Sequence, residues 1–178
     1  MLHSPAFWRK LLALTLLAVT PWAMAQRQAP ESELKAAIVA NMLLFVDWPT
    51  HGLQAADKLT LCYLDGGPVS TSLGRFEGKL IKNKPLQVVR VDITGIGGCH
   101  ALYLSPVDTS NLARIAPGFS PAGVLVVGDS PGFLQRGAMI NLEIESGRVV
   151  FDIDLRSVRK GGLVVSSKVL RLARQVLE

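Results

Sequence analysis

The chain has 178 residues, with 19 Lys and Arg against 14 Asp and Glu, for a formal net charge of +5. Apart from Arg156, Arg159, Lys160, Lys168, Arg171 and Arg174 the basic residues are scattered, and no aromatics interleave with them, which argues against nucleic acid as a partner. There is no internal repeat, no low-complexity tract, and no Pro, Gly or Ser run long enough to link two domains.

The first two dozen residues read as a secretory signal peptide. Arg9-Lys10 precede an apolar run, Leu11 to Val19, followed by Pro21 and the small-residue site Ala23-Met24-Ala25. The run is shorter than the roughly 20 residues of a membrane-spanning helix, so cleavage after Ala25 and export are expected. Residues 26–178 then form a single domain, and the loss of Arg9 and Lys10 lowers the net charge from +5 to +3.

Ser32 to Asp47 reads as a helix, with Ser32 as N-cap and a run of good helix formers from Lys35 to Leu44. Leu34, Ile38, Met42 and Phe45 trace its apolar face, and Asn41 reads as a structural hydrogen bonder on it. Pro49 ends it by restricting Trp48. Lys58 to Leu64 is a strand with Leu59, Leu61 and Tyr63 on one face and Cys62 on the other. Val69 to Phe76 is a short helix. Pro85 to Val91 and Cys99 to Leu104 are further strands, and Ser110 to Ile115 a helix. Gly123 to Val127 is a continuous apolar run, as in a strand buried on both faces.

A short helix after Asp129 leads to a hairpin turning at Ser146-Gly147. Ile140, Leu142 and Ile144 point one way; Val149, Phe151, Ile153 and Leu155 repeat the pattern on the return. A short helix, a Gly161-Gly162 break and a closing helix follow, the last drawn from the spacing of Val165, Val169, Leu172, Ala173 and Val176. Strands alternating with helices predict an α/β layered fold with a mostly parallel sheet, a C-terminal hairpin and a closing helix.

Catalytic groups are hard to find. Gly128-Asp129-Ser130 after a strand is similar to an esterase nucleophile block, but no histidine follows His100 to act as general base. The same loop at a helix start invites an anion, yet Asp129 as N-cap would occupy those donors itself, and capping is the favoured reading. No dinucleotide or P-loop motif is present, so no cofactor is expected. Asp152 and Asp154 share a strand face, with Arg148 and Arg156 close enough in sequence to pair with them. Cys62 and Cys99 in an exported chain most simply form one disulfide, with free buried thiols or a metal site with His100 as the alternatives. His100 adjoins Cys99 and His51 offers no chelating spacing, so metal is the weakest of these.

Four blocks in order carry a resemblance. They are Lys35-Ala36-Ala37 through Asn41, Phe45 and Trp48-Pro49; Cys99-His100 with Leu102-Tyr103; Val126 to Phe133 with Gly137, Met139, Ile140 and Asn141; and Phe151-Asp152-Ile153-Asp154-Leu155 followed by Gly162-Leu163 and Ser166-Ser167-Lys168-Val169-Leu170-Arg171-Leu172-Ala173. Together they resemble the YfiR-like family of exported regulators over roughly Glu33 to Val176. The resemblance implies a Rossmann-like single domain in the periplasm, often a homodimer and without catalytic activity. It implies a partner, the periplasmic sensory domain of an inner-membrane diguanylate cyclase, whose repression lowers cyclic-di-GMP and biofilm formation. It also implies the Cys62–Cys99 disulfide, while the second late pair of some members is absent here. A small-molecule sensor acting on another type of receptor is the competing reading. The candidate partner or ligand surface comprises Asp152, Arg159, Ser166, Ser167, Lys168 and Arg171, with a groove expected between the closing helix and the Phe151–Leu155 strand.

Overall fold

The structure, a computed structural model, describes residues 29–49, 56–115 and 123–178. The segment read as a signal peptide lies outside the described residues. The chain opens with helix α1 (Glu31–Met42), a 3₁₀ turn and the short strand β1 (Val46–Asp47). Strand β2 (Leu59–Tyr63), helix α2 (Pro68–Leu73), strands β3 (Leu80–Ile81) and β4 (Lys84–Arg90), strand β5 (Ala101–Leu104) and helix α3 (Thr109–Ile115) follow. Strand β6 (Leu125–Gly128) leads to the hairpin β7 (Ile140–Glu145) and β8 (Arg148–Asp154). The chain ends with helix α4 (Leu155–Lys160), strand β9 (Val164–Val165), helix α5 (Ser167–Leu170) and strand β10 (Gln175–Leu177).

Eight strands form one sheet in the order β10-β8-β7-β6-β5-β2-β4-β3. Strands β4, β2, β5, β6 and β7 are mutually parallel, the expected Rossmann-like α/β centre. β8 runs antiparallel to β7, while β10 lies parallel to β8 on the edge. Because β2 and β5 are neighbours but their following helices serve strands on opposite sides, the order of connection reverses between them.

Period-two alternation divides the core into two layers. Leu59, Leu61, Tyr103, Leu125, Val127, Ile140 and Leu142 join the layer under α1. Cys62, Leu102, Leu104, Val124 and Val126 join the opposite one with Leu112 and Phe133. The hairpin turns where predicted: Ser146 and Gly147 have φ of 50° and 75°, the left-handed pair of a tight two-residue turn. Gly128 is required for space, since a Cβ there would stand 2.7 Å from the Phe133 ring and 2.8 Å from Asn141 Oδ1.

Two sequence expectations for α1 are corrected. The apolar face of α1 is rotated: Ala36, Val39, Ala40, Met42 and Leu43 are buried, Leu34 is 38% exposed, and Asn41 faces outward. Asn41 is the structural hydrogen bonder expected of it, accepting from Lys79 Nζ of the loop before β3 at 2.8 Å, but on the exposed side of the helix. Pro30, not Ser32, stands at the N-cap, with no side-chain cap.

The closing helix is the largest correction. Only Ser167–Leu170 is helical, and Gln175–Leu177 pairs in register with Asp152–Asp154. Helical propensity over this stretch is worth tenths of a kcal/mol per residue. Edge pairing instead satisfies the open backbone groups of β8 and brings Arg174 to the buried Asp152. Leu172, placed on the expected apolar stripe, is 74% exposed.

Candidate functional site

The disulfide forms as expected: Cys62 and Cys99 are bonded, with Cα atoms 5.9 Å apart, and both are buried in the layer beneath α3. Cys62 sits within β2 and Cys99 ends the 3₁₀ turn before β5. The bridge therefore pins the two strands between which the connection order reverses. Next to it, His100 makes a side-chain substitute for a ladder bond. The Thr60 N–H donates to its Nδ1 at 2.9 Å, and the Trp48 indole N–H donates to its carbonyl at 2.8 Å. Burial, reinforced by Lys84, lowers the His100 pKa and favours the neutral ring that can accept.

A cluster that the sequence did not reveal lies beyond the carboxyl ends of β5 and β6. Lys35, on the first turns of α1, is buried and its Nζ stands 2.6 Å from Asp129 Oδ1 and 2.6 Å from Glu31 Oε1. The Tyr103 hydroxyl, from β5, donates to Asp129 Oδ2 at 2.7 Å. Asp129 thus spends both oxygens on distant partners and is not the helix cap the sequence suggested. Burial works against the Lys35 charge, but Asp129 and Glu31 outweigh it and hold its pKa above the ordinary value. Burial, then the Asp129 carboxylate, pushes the Tyr103 phenol up as well.

These residues floor a cleft of about 400 Å³, walled by Pro68 and Val69 at the start of α2 and by Ser105 and Pro106 after β5. A wider depression of about 620 Å³ lies past the ends of β2 and β4. Its charged rim is already internally engaged: Arg90 pairs with Asp65 at 3.3 Å, and Asp92 accepts from Gly95 N–H at 2.8 Å.

The predicted surface residues separate into two groups. Asp152 is buried and bound by Arg174, whose Nε donates at 2.9 Å and whose Nη2 also contacts the carboxylate. Arg174 also reaches Glu143 at 2.7 Å, so one guanidinium gathers carboxylates from both hairpin strands. Its partner is therefore not Arg148, the neighbour in sequence. Asp154 caps α4, accepting from the Arg156 and Ser157 amides at 3.0 and 3.2 Å. Ser166 caps α5 by accepting from the Lys168 N–H at 3.3 Å. Arg159 on α4, Ser167 and Lys168 on α5 and Arg171 at the C-cap of α5 are exposed, and the three cations among them make no ion pair among the described residues. Where a groove beside Phe151–Leu155 was expected, β10 is bonded directly to the strand.

No grouping of three or more His, Cys, Asp or Glu suited to a metal ion occurs among the described residues. Nor is any helix among them long and apolar enough to cross a membrane.

Solved structures share the architecture at low sequence identity. A conserved domain protein from Vibrio cholerae matches with a TM-score of 0.53 and 12% identity, covering 82% of this chain and 60% of that one. An ABC domain in complex with L-Trp from Streptococcus pneumonia matches with a TM-score of 0.52 and 10% identity, covering 78% and 60%. The chain thus spans about three-fifths of the solved proteins it matches, and the likeness is one of fold. The family comparison reaches further, since the model described as YfiR/HmsC-like matches residues 32–174, from α1 through Arg174. The chain belongs to the YfiR/HmsC-like family.

Proposed function

We propose that this protein is a non-catalytic periplasmic regulator that binds the periplasmic sensory domain of an inner-membrane diguanylate cyclase and holds it inactive. The observation that carries this reading is family membership across residues 32–174, the family being one of periplasmic regulators of diguanylate cyclases. Export with cleavage after Ala25, and assembly as a homodimer, belong to the same reading. The exposed cations Arg159 on α4, Lys168 on α5 and Arg171 at the C-cap of α5 are the surface to which an acidic patch of the partner would dock, being free of internal ion pairs among the described residues.

Deleting the gene raises cyclic-di-GMP in cells under this reading, and crosslinking of the tagged protein recovers a cyclase. Unchanged cyclic-di-GMP together with no cyclase in the crosslinked fraction would sink it.

The competing reading, a small-molecule sensor acting on another receptor, is favoured by one observation. The cleft floored by Lys35, Asp129 and Tyr103 lies outside strand carboxyl ends where the connection order reverses, the usual place for ligands in open α/β sheets.

A further inference from the structure

Helix α1 is apolar on both of its sides. The inner side, Ala36, Val39 and Ala40 with Leu43 in the following 3₁₀ turn, is fully buried against the sheet. On the outer side Leu34, Ala37, Ile38 and Asn41, continued by Leu44 and Phe45 in that turn, fall at the i, i+3, i+4, i+7 spacing of a single helix face. Leu34 and Leu44 are each 38% exposed, and Asn41 is the one polar residue of the stripe. A surface helix ordinarily turns charged and polar residues to water; one that is apolar all round is ordinarily covered.

The neighbouring elements extend this face. Ile144 near the hairpin tip is exposed, and with Val149 it lines a groove of about 220 Å³ on one side of Leu34. A second groove, of about 270 Å³, lies on the other side, where Leu34 and Ala37 face Phe76. The outer stripe is thus a ridge with an apolar groove along each flank, the relief against which another helix packs. Ala37 is its smallest side chain and the place where a second backbone can come nearest.

The charges say what kind of partner fits. Around this face Glu31, Glu33 and Asp47 each hold a cation of the same chain, Lys35, Arg75 and Lys82. Glu145 stands opposite Arg148 in the hairpin register, and Lys79 lies two residues from Glu77. Among the described residues no surplus of one sign is left for an oppositely charged partner to match. Between Leu155 and Ala173, by contrast, every charged residue is a cation. Homodimer interfaces are the more apolar class, with charge depleted at the centre. A ridge lying beside its own grooves also meets the demand that an isologous contact fit itself.

We propose that the outer face of α1 is where two copies of this chain meet, α1 crossing α1 about a twofold axis near Ala37, with the ridge of each copy against a groove of the other. The proposal rests on the homodimer part of the function proposed above and assigns it a surface. The cations of α4 and α5 are not part of that surface, so association of two copies is measured without reference to a cyclase.

The test is sedimentation equilibrium of the mature chain, residues 26–178, at micromolar concentration. The wild type should be a dimer. Leu34→Glu buries a carboxylate twice, once per copy, and should weaken association about a hundred-fold or more. Leu44→Glu should act in the same direction, and both variants should stay folded by circular dichroism because both positions are exposed. Ala37→Cys gives a reading that needs no disruptive change. The two natural cysteines are bonded to each other, so the new thiol is the one available, and air oxidation should link two copies through it. Ser110→Cys, exposed on α3 at the opposite layer of the sheet, should stay unlinked. A monomeric wild type overturns the proposal and the homodimer with it. A dimer left intact by both glutamates, or Ala37→Cys linking no better than Ser110→Cys, keeps the homodimer and overturns its assignment to α1.

Discussion

Lys35 and Asp129 are 94 residues apart in the chain, and their side chains meet 2.6 Å apart with only a tenth or less of either exposed. The contact joins the first helix to the loop after β6, across the top of the sheet. A buried pair of this kind is costly to break from one side, because the remaining charge loses its partner without regaining water. Lys35→Met should therefore destabilise by about 3 kcal/mol, at the low end for such pairs because the site borders a cleft. Adding Asp129→Asn should cost clearly less than the sum of the single changes, since the pair acts as a unit. Urea unfolding of the four proteins measures this; strict additivity would show that the two do not cooperate.

The disulfide constrains the unfolded chain. It closes a separation of 37 residues, worth about 4 kcal/mol in the chain-entropy account. Cys62→Ser and Cys99→Ser should each lower stability by a few kcal/mol, and the reductant-treated wild type should resemble them. A melting temperature that is unchanged by either substitution under oxidising conditions would mean the bridge contributes nothing.

What could be read from the sequence was what is local or periodic. Leu59, Leu61 and Tyr63 against Cys62, the Ser146-Gly147 turn and the doubly buried Val124–Val127 run each announce themselves within a few residues. Lys35 did not, because nothing in Leu34-Lys35-Ala36-Ala37 says that a carboxylate from beyond β6 and a phenol from β5 will meet it. The tail misled for a related reason. Val165, Val169, Leu172 and Val176 fit a helix by spacing, but the deciding partner, the open edge of β8 with Asp152 on it, is invisible to a local pattern. Polar pairing across long separations overrode periodicity in both places.

His100 should make the fold acid-sensitive. Its pKa is lowered in the folded protein below the ordinary value near 6.5, because the ring is desolvated and faces Lys84. The unfolded chain then binds the proton more readily, so stability rises with pH through this window. The contribution is complete above about pH 6.5 and is lost as pH falls from there toward the lowered folded value, with a limiting slope of about 1.4 kcal/mol per pH unit. Protonating Nδ1 also removes the acceptor for the Thr60 N–H. His100→Asn, which keeps an acceptor without a titrating ring, should flatten the stability profile between pH 5 and 7 (about the window set by the histidine). An identical profile in the variant would assign the acid sensitivity elsewhere.

Arg174 holds the last strand in place. Its guanidinium binds Asp152 and Glu143, and its backbone N–H donates to the Phe151 carbonyl at 2.8 Å. Arg174→Gln should loosen Gln175–Leu177 selectively: amide hydrogen exchange there should accelerate while β5 and β6 keep their protection. Uniform acceleration across the sheet would mean that β10 belongs to the same cooperative unit as the core.

The exposed cations give the sharpest contrast with Arg174. Arg159 on α4, Lys168 on α5 and Arg171 at the C-cap of α5 are without ion-pair partners among the described residues, so reversing their charge costs the fold little. Arg171→Glu, alone or with Lys168→Glu, should leave the melting temperature within about a degree or two, as a surface substitution does. If these residues face an acidic partner, the same changes should release the cyclase and raise cyclic-di-GMP toward the level of the deletion strain. They should also reduce the salt dependence of association, because a rim charge acts mainly on the rate of encounter. Full repression by a folded Arg171→Glu, Lys168→Glu double variant would move the docking surface away from α5. A second reversal at Arg159, on the neighbouring helix, then decides whether α4 alone carries it.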